Sequence, residues 1–402
     1  MIYKTFKYKL KISKNQAMVF DRWLGVTRLM YNLAKETNDE TYRITGRGLT
    51  ACDLQLQAVG LKREYEWMNE LPKDTLYEPL FRYEKSMKRF FSGAGFPSWA
   101  KKRTWRSLVF IQQNKGNKYG GTLRIEGNNI FLHNKIKLKF FADRALPTDA
   151  AITRIILIKD FENWYASVEF KTNQHQVIPP NDSQVVGVDA GVARLITLST
   201  GEFYKNAKIF ESFRKKIRIE QRSLSRKKRG GANYAKQLVK LRGVYQKLMR
   251  TKSDVQHKIT NEVVAKYSGF IVEDLQLTSM MKSTKDIVGN YKKGFVVKSE
   301  LNLALSDAAI GSLFDKLRYK CEWNERYFEK VNPAYTSQEC NICGHTSRQN
   351  RTTQSLFLCM NCGHSENADV NAAKNILKRG GHPHCSLTWN SSSGVGQKSY
   401  SL

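Results

Sequence analysis

Acidic residues are scarce in this sequence. Its 402 residues include 36 aspartates and glutamates against 67 lysines and arginines, which gives a formal net charge of +31. Such an excess is far larger than solubility requires, so a polyanion such as a nucleic acid is the natural partner. The hydrophobic fraction of 41% is sufficient for real cores, which excludes a disordered basic tail.

Long apolar runs are also absent. No stretch approaches the ~18 residues that a membrane-spanning helix requires. The N-terminal residues Met1 to Lys4 do not lead into the apolar core of a signal peptide. We therefore expect a soluble, intracellular chain outside any membrane, and its length favours two to four domains.

Four of the seven cysteines form two CxxC pairs with fifteen residues between them: Cys340, Cys343, Cys359 and Cys362. This spacing is typical of a zinc ribbon, in which two tight turns present four thiolates to one tetrahedral Zn²⁺. Gly344 and Gly363 follow the pairs and suit turns with positive φ. Two disulfides, or four unrelated cysteines, are the alternatives. Without a secretion signal, and with Cys52, Cys321 and Cys385 isolated, the metal site is favoured.

Three acids share a similar setting in this basic chain. Asp189 and Glu273 each end an apolar run typical of a buried strand, and Asp369 opens a helical pattern. Each acid alone is more often a surface carboxylate. If they converged they would repel one another unless cations bridged them, and such oxygen ligands suit Mg²⁺ or Mn²⁺. Two such ions ~3.5–4 Å apart activate a water and steady the leaving 3′ oxygen in phosphodiester hydrolysis.

The sequence of the N-terminal third of the chain predicts one strand followed by helices. Residues 2–12 alternate between apolar and lysine positions, and Ser13 with Gln16 forms a capping-box pattern. The pattern then stays helical to about residue 92, with breaks near Gly46 and Pro72. The predicted apolar stripe of the first helix consists of Phe20, Trp23, Leu24, Leu29, Tyr31 and Leu33.

Strand signals dominate residues 107–172. The predicted strands cover residues 108–111, 123–125, 130–132, 136–140, 155–158 and 164–170. Many short strands in so few residues predict a small β-barrel, which the N-terminal strand would join. Residues 173–184 contain Pro179-Pro180 and are predicted to form a linker.

The remaining chain predicts an α/β arrangement. Its predicted strands cover residues 185–189, 194–198, 201–204, 269–273 and 326–331, and its helices residues 211–255, 302–320 and 371–377. Gly230-Gly231 is expected to divide the first of these helices. The apolar face predicted for residues 302–320 consists of Leu303, Leu305, Ile310, Leu313, Phe314 and Leu317. A mobile loop is expected at 278–298 and disorder at 381–402.

Several basic clusters are candidate nucleic-acid contacts, because neutralising phosphates releases counterions. They are Lys7, Lys9, Lys101, Lys102, Arg103, Arg222, Arg226, Lys227, Lys228 and Arg229. A solvated charged face is the alternative for each cluster. In the helix over 211–255 acids are too few to compensate the repulsion, which favours a nucleic-acid contact.

The order of these motifs resembles that of the TnpB (OrfB) family of transposon-encoded RNA-guided nucleases, relatives of the type V CRISPR effectors. The motifs are VGVDAG at 186–191, IVEDL at 271–275, TSQECNICG at 336–344, CMNCG at 359–363 and ADVNAAKNI at 368–376. GFPSWAKKR at 95–103 is similar to another segment of that family. The resemblance extends over about residues 1–380.

The resemblance implies an RNase H-like (RuvC) nuclease domain split by a zinc ribbon, with an N-terminal wedge β-barrel and a helical recognition domain. By position, Asp189, Glu273 and Asp369 correspond to the catalytic, metal-binding acids. The four cysteines correspond to the zinc ligands. The expected domains are the wedge at 1–12 and 106–180, helical recognition at 13–105, nuclease at 181–335 and 366–380, ribbon at 336–365, and tail at 381–402.

The same resemblance implies the function and partners. A prokaryotic, cytoplasmic enzyme, associated with the nucleoid when on DNA, would act as a monomer with one guide RNA from the transposon end. It would cut double-stranded DNA beside a short motif, while base pairing reads the rest. Where the family often has DRD, this chain has Glu366, Asn367, Ala368 and Asp369, which keeps the last acid. A guided repressor that does not cut, or an unguided zinc-ribbon DNA-binding transposase accessory protein, are the alternatives.

Overall fold

A computed structural model describes residues 2–112, 122–133, 136–147, 150–172, 179–281 and 294–381. The chain divides into two compact units, residues 1–175 and residues 176–402. Of the predicted linker 173–184, the second half, residues 179–184, is described. The expected tail beyond Gly381, and the middle of the loop expected at 278–298, lie outside the described residues.

The helices of the first unit follow its first strand. They are α1 (Lys14–Thr45), α2 (Ala51–Glu64) and α3 (Lys73–Phe91), with a 3₁₀ turn at Glu66–Glu70. The predicted capping box is confirmed, because Ser13 and Gln16 exchange side-chain-to-backbone hydrogen bonds. Leu29 is 41% exposed, so its place in the predicted stripe was wrong. The buried face of α1 instead includes Val26 and Met30.

The sheet of the first unit is antiparallel and has seven strands. They are β1 (Ile2–Lys11), β2 (Ser107–Ile111), β3 (Leu123–Glu126), β4 (Asn129–Leu132), β5 (Ile136–Phe140), β6 (Ala150–Asp160) and β7 (Asn163–Thr172). Their order is β2-β6-β7-β1-β5-β4-β3. The N-terminal strand therefore lies at the centre, paired with β5 and β7. On β1, Tyr8 and Leu10 are buried while the intervening lysines are exposed, as predicted.

The two ends of this sheet approach each other. The amide side chain of Gln112, just after β2, accepts from the backbone N–H of Leu123 at 2.6 Å and donates to its carbonyl at 3.2 Å. This contact imitates one rung of a strand ladder between β2 and β3. Closure into a barrel stays a prediction, because no backbone pairing joins these two strands in the described part of the chain.

The second unit is built on a five-stranded mixed sheet. Its strands are β8 (Val185–Asp189), β9 (Arg194–Leu198), β10 (Phe203–Lys205), β11 (Gly269–Glu273) and β12 (Tyr327–Val331), in the order β10-β9-β8-β11-β12. The strands β8, β11 and β12 run parallel, whereas β9 and β10 are antiparallel to their neighbours. The interior of β8 and all of β11 are buried, as expected for strands covered on both faces.

Two helical regions extend from this sheet. The helices α4 (Ile209–Ser225) and α5 (Ala232–Lys266) form the divided basic helix that the sequence predicted. The later helices are α6 (Leu277–Met280), α7 (Phe295–Ala308), α8 (Ile310–Trp323) and α9 (Ala368–Arg379). No helix in the described part of the chain is both long enough and apolar enough to cross a membrane.

The prediction of a single helix at 302–320 was wrong. The chain breaks at Ala309, which has a left-handed φ of 48°. The side-chain amide of Gln256 on α5 donates to the carbonyls of Ala308 and Ala309, which stabilises the break. Because α7 begins at Phe295 and α6 ends at Met280, the loop expected at 278–298 is shorter at both ends. Leu303, from the predicted apolar face, is 37% exposed.

A small ribbon precedes α9. Its strands β13 (Leu356–Leu358) and β14 (Ser365–Asn367) are antiparallel, and Phe357 of β13 is fully buried. The helix α9 then packs against β8. This contact depends on Gly187, since a Cβ at that position would lie 2.0 Å from the carbonyl oxygen of Ala373 and 2.7 Å from the nitrogen of Leu377.

The close approach of α9 to β8 can be tested with Gly187→Ala. The added methyl meets rigid backbone atoms, so we expect the free energy of unfolding of the second unit to fall by at least ~2 kcal/mol. Chemical denaturation would measure it. The matched control is Gly243→Ala within α5, where a Cβ meets nothing within 4 Å. That variant should gain roughly 0.5–1 kcal/mol, because alanine is the better helix former. Equal stability of Gly187→Ala and the parent would contradict the packing.

Candidate functional site

The sheet of the second unit brings two of the predicted acids side by side. In the parallel pair formed by β8 and β11, Val188 lies opposite Val272, so the next residues, Asp189 and Glu273, leave the same edge of the sheet. The third acid, Asp369, is the second residue of α9, the helix packed on β8. Strand register and one helix thus gather three carboxylates that are 84 and 96 positions apart in the sequence.

The pKa shifts of two of these acids indicate that the carboxylates lie close enough to repel one another. Burial, followed by repulsion from Glu273 and Asp369, raises the pKa of Asp189 to about 7, although the positive charge of Arg351 opposes the shift. Burial also raises the pKa of Glu273, against the opposing effects of a hydrogen bond from Thr336 and the charge of Arg379. A cluster of this kind favours either protons or bound cations.

The spacing of the carboxylates limits how they could hold a metal. Among the described residues, the cysteine cluster is the only set of three or more candidate ligands with all ligand atoms within 4.8 Å of one another. The three carboxylates are therefore spread more widely. The ligands of one Mg²⁺ lie ~2.1 Å from the ion and hence at most ~4.2 Å apart. The hard oxygen donors fit Mg²⁺ or Mn²⁺, but a single ion could not contact all three carboxylates in this arrangement.

Neighbouring side chains orient each acid. The hydroxyl of Thr336 donates to Glu273 Oε1 at 2.5 Å. The side chain of Asn367 caps α9 by accepting from the backbone N–H groups of Asp369 and Val370. A guanidinium nitrogen of Arg351 lies 3.6 Å from Asp369 Oδ1. Sequence reasoning missed Thr336 and Arg351, because nothing local in the sequence marks their contacts with distant acids.

The helix α9 is bound to the ribbon by two buried asparagines. Asn371 accepts from the backbone N–H of Asn341 at 3.0 Å and donates to the carbonyl of Glu339 at 2.8 Å. One turn later, Asn375 donates to the carbonyls of Thr336 and Glu339. These polar side chains are 0% and 1% exposed. Their spacing of four residues on an otherwise apolar face was the signal that sequence reasoning did not use.

The four cysteines of the ribbon meet as the sequence predicted. Cys340 and Cys362 have their sulfurs 3.7 Å apart, and those of Cys343 and Cys359 are 3.5 Å apart. A tetrahedral zinc site with Zn–S bonds of ~2.3 Å places its sulfurs ~3.8 Å apart, so the cluster fits zinc closely. All four are free thiols here, not disulfides.

The two turns that carry the cysteines are built alike. The backbone N–H of Cys340 donates to the carbonyl of His345, and that of Cys359 donates to the carbonyl of His364. Gly344 and Gly363 both have φ near 70°, as predicted. The buried side chain of Asn350 links the turns, since it donates to the carbonyl of His345 and accepts from the N–H of Met360. The structure thus brings four thiols that could hold a metal ion within 4.8 Å of one another.

The predicted nucleic-acid contacts lie in both units. In the first unit Lys7 and Lys9 are exposed on β1. Lys101, Lys102 and Arg103 are exposed on a segment that Asn32 of α1 fixes through both backbone groups of Ala100. In the second unit, Arg222 lies in the last turn of α4. Arg226, Lys227, Lys228 and Arg229 occupy the turn between α4 and α5. A surface cavity along α4 is lined by Arg214, Lys215, Arg218 and Arg222.

Family models match three parts of the chain. Residues 1–47 match a model described as "Helix-turn-helix domain", residues 167–284 match "Probable transposase", and residues 311–376 match "Cas12f1-like, TNB domain". The first match covers β1 and the single long helix α1, so this part of the chain holds one helix and not two. The third match covers α8, β12, the ribbon and most of α9.

Whole-length relatives also match. "Putative RNA-guided DNA endonuclease InsQ" of Escherichia coli (strain K12) is 30% identical over 94% of this chain and 92% of that protein. "Putative RNA-guided DNA endonuclease" of Streptomyces pristinaespiralis is 26% identical over 94% of this chain and 89% of that protein. In a solved Cas12f1–sgRNA–target DNA complex, the protein is 16% identical with a TM-score of 0.57 over 90% of this chain and 83% of that one. That similarity shows a shared fold.

The raised pKa of Asp189 predicts a pH-dependent stability. Because it is about 7 instead of the ordinary 3.8, the folded chain keeps a proton that the unfolded chain releases between these values. Without added divalent ions, the free energy of unfolding therefore falls as the pH rises from about 4 to 7. Asp189→Asn carries no charge, so at pH 7.5 it should be more stable than the parent by up to ~4 kcal/mol. Denaturant titrations at pH 4.5 and 7.5 measure this.

At pH 4.5 the two proteins should differ much less. An Asp189→Asn variant that is less stable than the parent at pH 7.5 would contradict the repulsion among the three carboxylates.

The ribbon predicts one zinc ion per chain. Cys359→Ser should lose that ion and loosen the start of α9, because Asn371 and Asn375 hold the helix to the ribbon. Elemental analysis would give the zinc content, and hydrogen exchange over 368–379 would report the helix. Cys52→Ser, at an exposed thiol of the first unit, is the control and should retain zinc. Unchanged zinc content in Cys359→Ser would refute the assignment.

Proposed function

The chain belongs to the TnpB (OrfB) family, and we propose that it is an RNA-guided DNA endonuclease encoded by a transposon. The observation that carries this proposal is the convergence of Asp189, Glu273 and Asp369 at one end of the mixed sheet. Partly buried carboxylates that repel one another do not stabilise the fold, so their presence together favours a bound cation and a reaction that uses it.

We propose that residues 181–335 and 366–380 form an RNase H-like (RuvC) nuclease domain, with the ribbon at 336–365 as its insertion. The mixed sheet and the return of α9 onto β8 support this assignment. The seven-stranded sheet of the first unit, at 1–12 and 106–180, is the proposed wedge barrel. The helices at 13–105 form the proposed recognition domain.

Each acid has a defined task in the reaction. Asp189 and Glu273 extend from adjacent strands and would hold the cations at fixed positions, because their backbone belongs to a rigid sheet. Asp369 would complete the ligand set from the first turn of α9, where Asn367 fixes the backbone. Thr336 keeps the carboxylate of Glu273 in one orientation. When bound, Mg²⁺ or Mn²⁺ would activate a water for attack on the phosphodiester and neutralise charge on the leaving 3′ oxygen.

The basic surfaces would bind the guide RNA and the target DNA. The turn between α4 and α5 and the segment at 101–103 place their charges in solvent, where phosphates can reach them. Sequence recognition beyond a short motif would come from base pairing with the guide. A monomer with one guide RNA is the proposed assembly. A repressor that does not cut is disfavoured because all three acids are present.

The proposal predicts that Asp189→Ala abolishes cleavage without affecting guide binding. With purified protein, its co-purifying RNA and a matching DNA target, Mg²⁺-dependent cleavage should fall roughly a thousandfold or more. The amount and sequence of the bound RNA should not change, because Asp189 is not among the basic residues proposed to contact nucleic acid. Asp274→Ala is the control: this exposed neighbour of Glu273 pairs only with Lys330 among the contacts described, and cleavage should persist.

Two outcomes would contradict the proposal. Cleavage that survives in Asp189→Ala would exclude the acid cluster as the catalytic centre. Wild-type protein that carries no defined RNA would exclude the guided function.

A further inference from the structure

Two aromatic side chains are half-exposed on the segment between α3 and β2, residues 92–106. Phe96 is 51% exposed and Trp99 is 49% exposed. Burial of aromatic surface is strongly favourable, so rings of this size are largely buried in most proteins. Single exposed apolar side chains are common, but neighbouring rings on one segment are typical of a surface that contacts a partner.

One buried cation contacts both rings. The ammonium of Lys35 on α1 lies 4.4 Å from the centre of the Phe96 ring and 5.2 Å from the centre of a Trp99 ring. The same ammonium pairs with Asp39 at 2.5 Å, which neutralises that acid. Because Lys35 is buried, the solvent-exposed part of each ring lies on the side away from it. The two rings are therefore neighbours, and one side of each is accessible.

The position of the rings is fixed by contacts on both sides of them. Phe90, at the end of α3, packs edge-to-face against Phe96 with the ring centres 5.2 Å apart. Beyond Trp99, the side chain of Asn32 on α1 accepts from the backbone N–H of Ala100 at 2.8 Å and donates to its carbonyl at 3.3 Å. Rings that are already ordered lose less conformational entropy when a ligand binds them.

Three cations follow the rings directly in the chain. Lys101, Lys102 and Arg103 are all exposed. Accessible rings beside positive charges are the features with which proteins bind single-stranded nucleic acids, because bases stack on the rings while the cations neutralise the phosphates. A duplex does not use such rings, since its bases are already stacked and paired.

We propose that Phe96 and Trp99 form a stacking platform for unpaired bases of the guide RNA. The inference rests on the proposed function, which supplies this RNA. The target DNA arrives as a duplex, whereas a guide RNA offers unpaired bases before any duplex has been opened. Every base has a π-face, so the platform would recognise the unpaired state of the RNA and not its sequence.

Short oligonucleotides test the platform independently of the guide RNA. A fluorescently labelled oligouridine, and an RNA duplex of equal length, would be titrated with the full-length protein freed of its own RNA, and binding followed by anisotropy. Trp99→Ala should bind the oligouridine about tenfold more weakly than the parent, as expected for the loss of one stacking contact. It should bind the duplex as tightly as the parent does.

Trp67→Ala is the matched control. Trp67 is 44% exposed in the same unit, but its neighbours in the sequence include the acids Glu66 and Glu70. This variant should bind the oligouridine as tightly as the parent. Trp99→Phe keeps an aromatic ring over Lys35 and should retain most of the affinity, whereas Trp99→Leu offers no π-face and should bind as weakly as Trp99→Ala.

The salt dependence of binding separates stacking from charge. Removing a ring leaves the phosphate contacts unchanged, so the affinity of Trp99→Ala for oligouridine should fall with salt as steeply as that of the parent. Lys102→Gln removes a cation, and its logarithmic slope should be shallower by about 0.7. The platform is overturned if Trp99→Ala binds oligouridine as tightly as the parent, if Trp67→Ala loses as much affinity, or if Trp99→Ala shows the shallow slope of Lys102→Gln.

Photocrosslinking identifies the nucleic acid on the platform. The protein would be produced in cells supplied with 4-thiouridine, purified with its RNA, and irradiated alone or with target DNA that contains 4-thiothymidine. Mass spectrometry should find RNA attached to the tryptic peptide 90–101 before any DNA is added. RNA absent from this peptide, or DNA attached to it in place of RNA, would overturn the proposal. If the protein carries no RNA, the proposed function fails, while the oligonucleotide titrations still decide whether the platform exists.

Discussion

The repulsion among three partly buried carboxylates is the constraint on which the second unit depends. Two adjacent parallel strands of the sheet end in the acids Asp189 and Glu273. Their repulsion destabilises the fold, and it becomes stronger as water is removed from the site. The packing of the sheet does not by itself explain why two acids are placed side by side. The surrounding structure holds the acids together against their repulsion, which makes the site ready to take divalent cations.

The helix that carries the third acid links the ribbon to the mixed sheet of the second unit. Asp369 belongs to α9, which is fixed on one side to β8 through Gly187 and on the other to the ribbon through buried asparagines. The four thiols stabilise the ribbon, and the ribbon in turn fixes the start of α9. The proposed structural metal and the proposed catalytic carboxylate would thus be connected through a few hydrogen bonds, although they belong to different sites.

Sequence reasoning succeeded where the signal was local. The alternation of β1, the capping box at Ser13 and the spacing of the cysteines each depend on residues close together in the chain, and the structure has all three. The strands that end at Asp189 and Glu273 were also predicted from local apolar runs.

Prediction from the sequence failed where contacts between residues far apart in the chain determine the local structure. Neither glycine nor proline occupies position 309, where the helix breaks. The break is stabilised by the side-chain amide of Gln256, more than fifty positions earlier in the sequence. Leu29 was placed on the wrong face because apolar residues flank both sides of the stripe on α1.

The central claim is that Asp189, Glu273 and Asp369 jointly hold divalent cations. Anomalous diffraction from crystals grown with Mn²⁺ tests it most directly, because it locates the ions without reference to activity. The account predicts two anomalous peaks ~3.5–4 Å apart, with all three carboxylates as ligands. Manganese bound elsewhere, with no peak between these three acids, would contradict it.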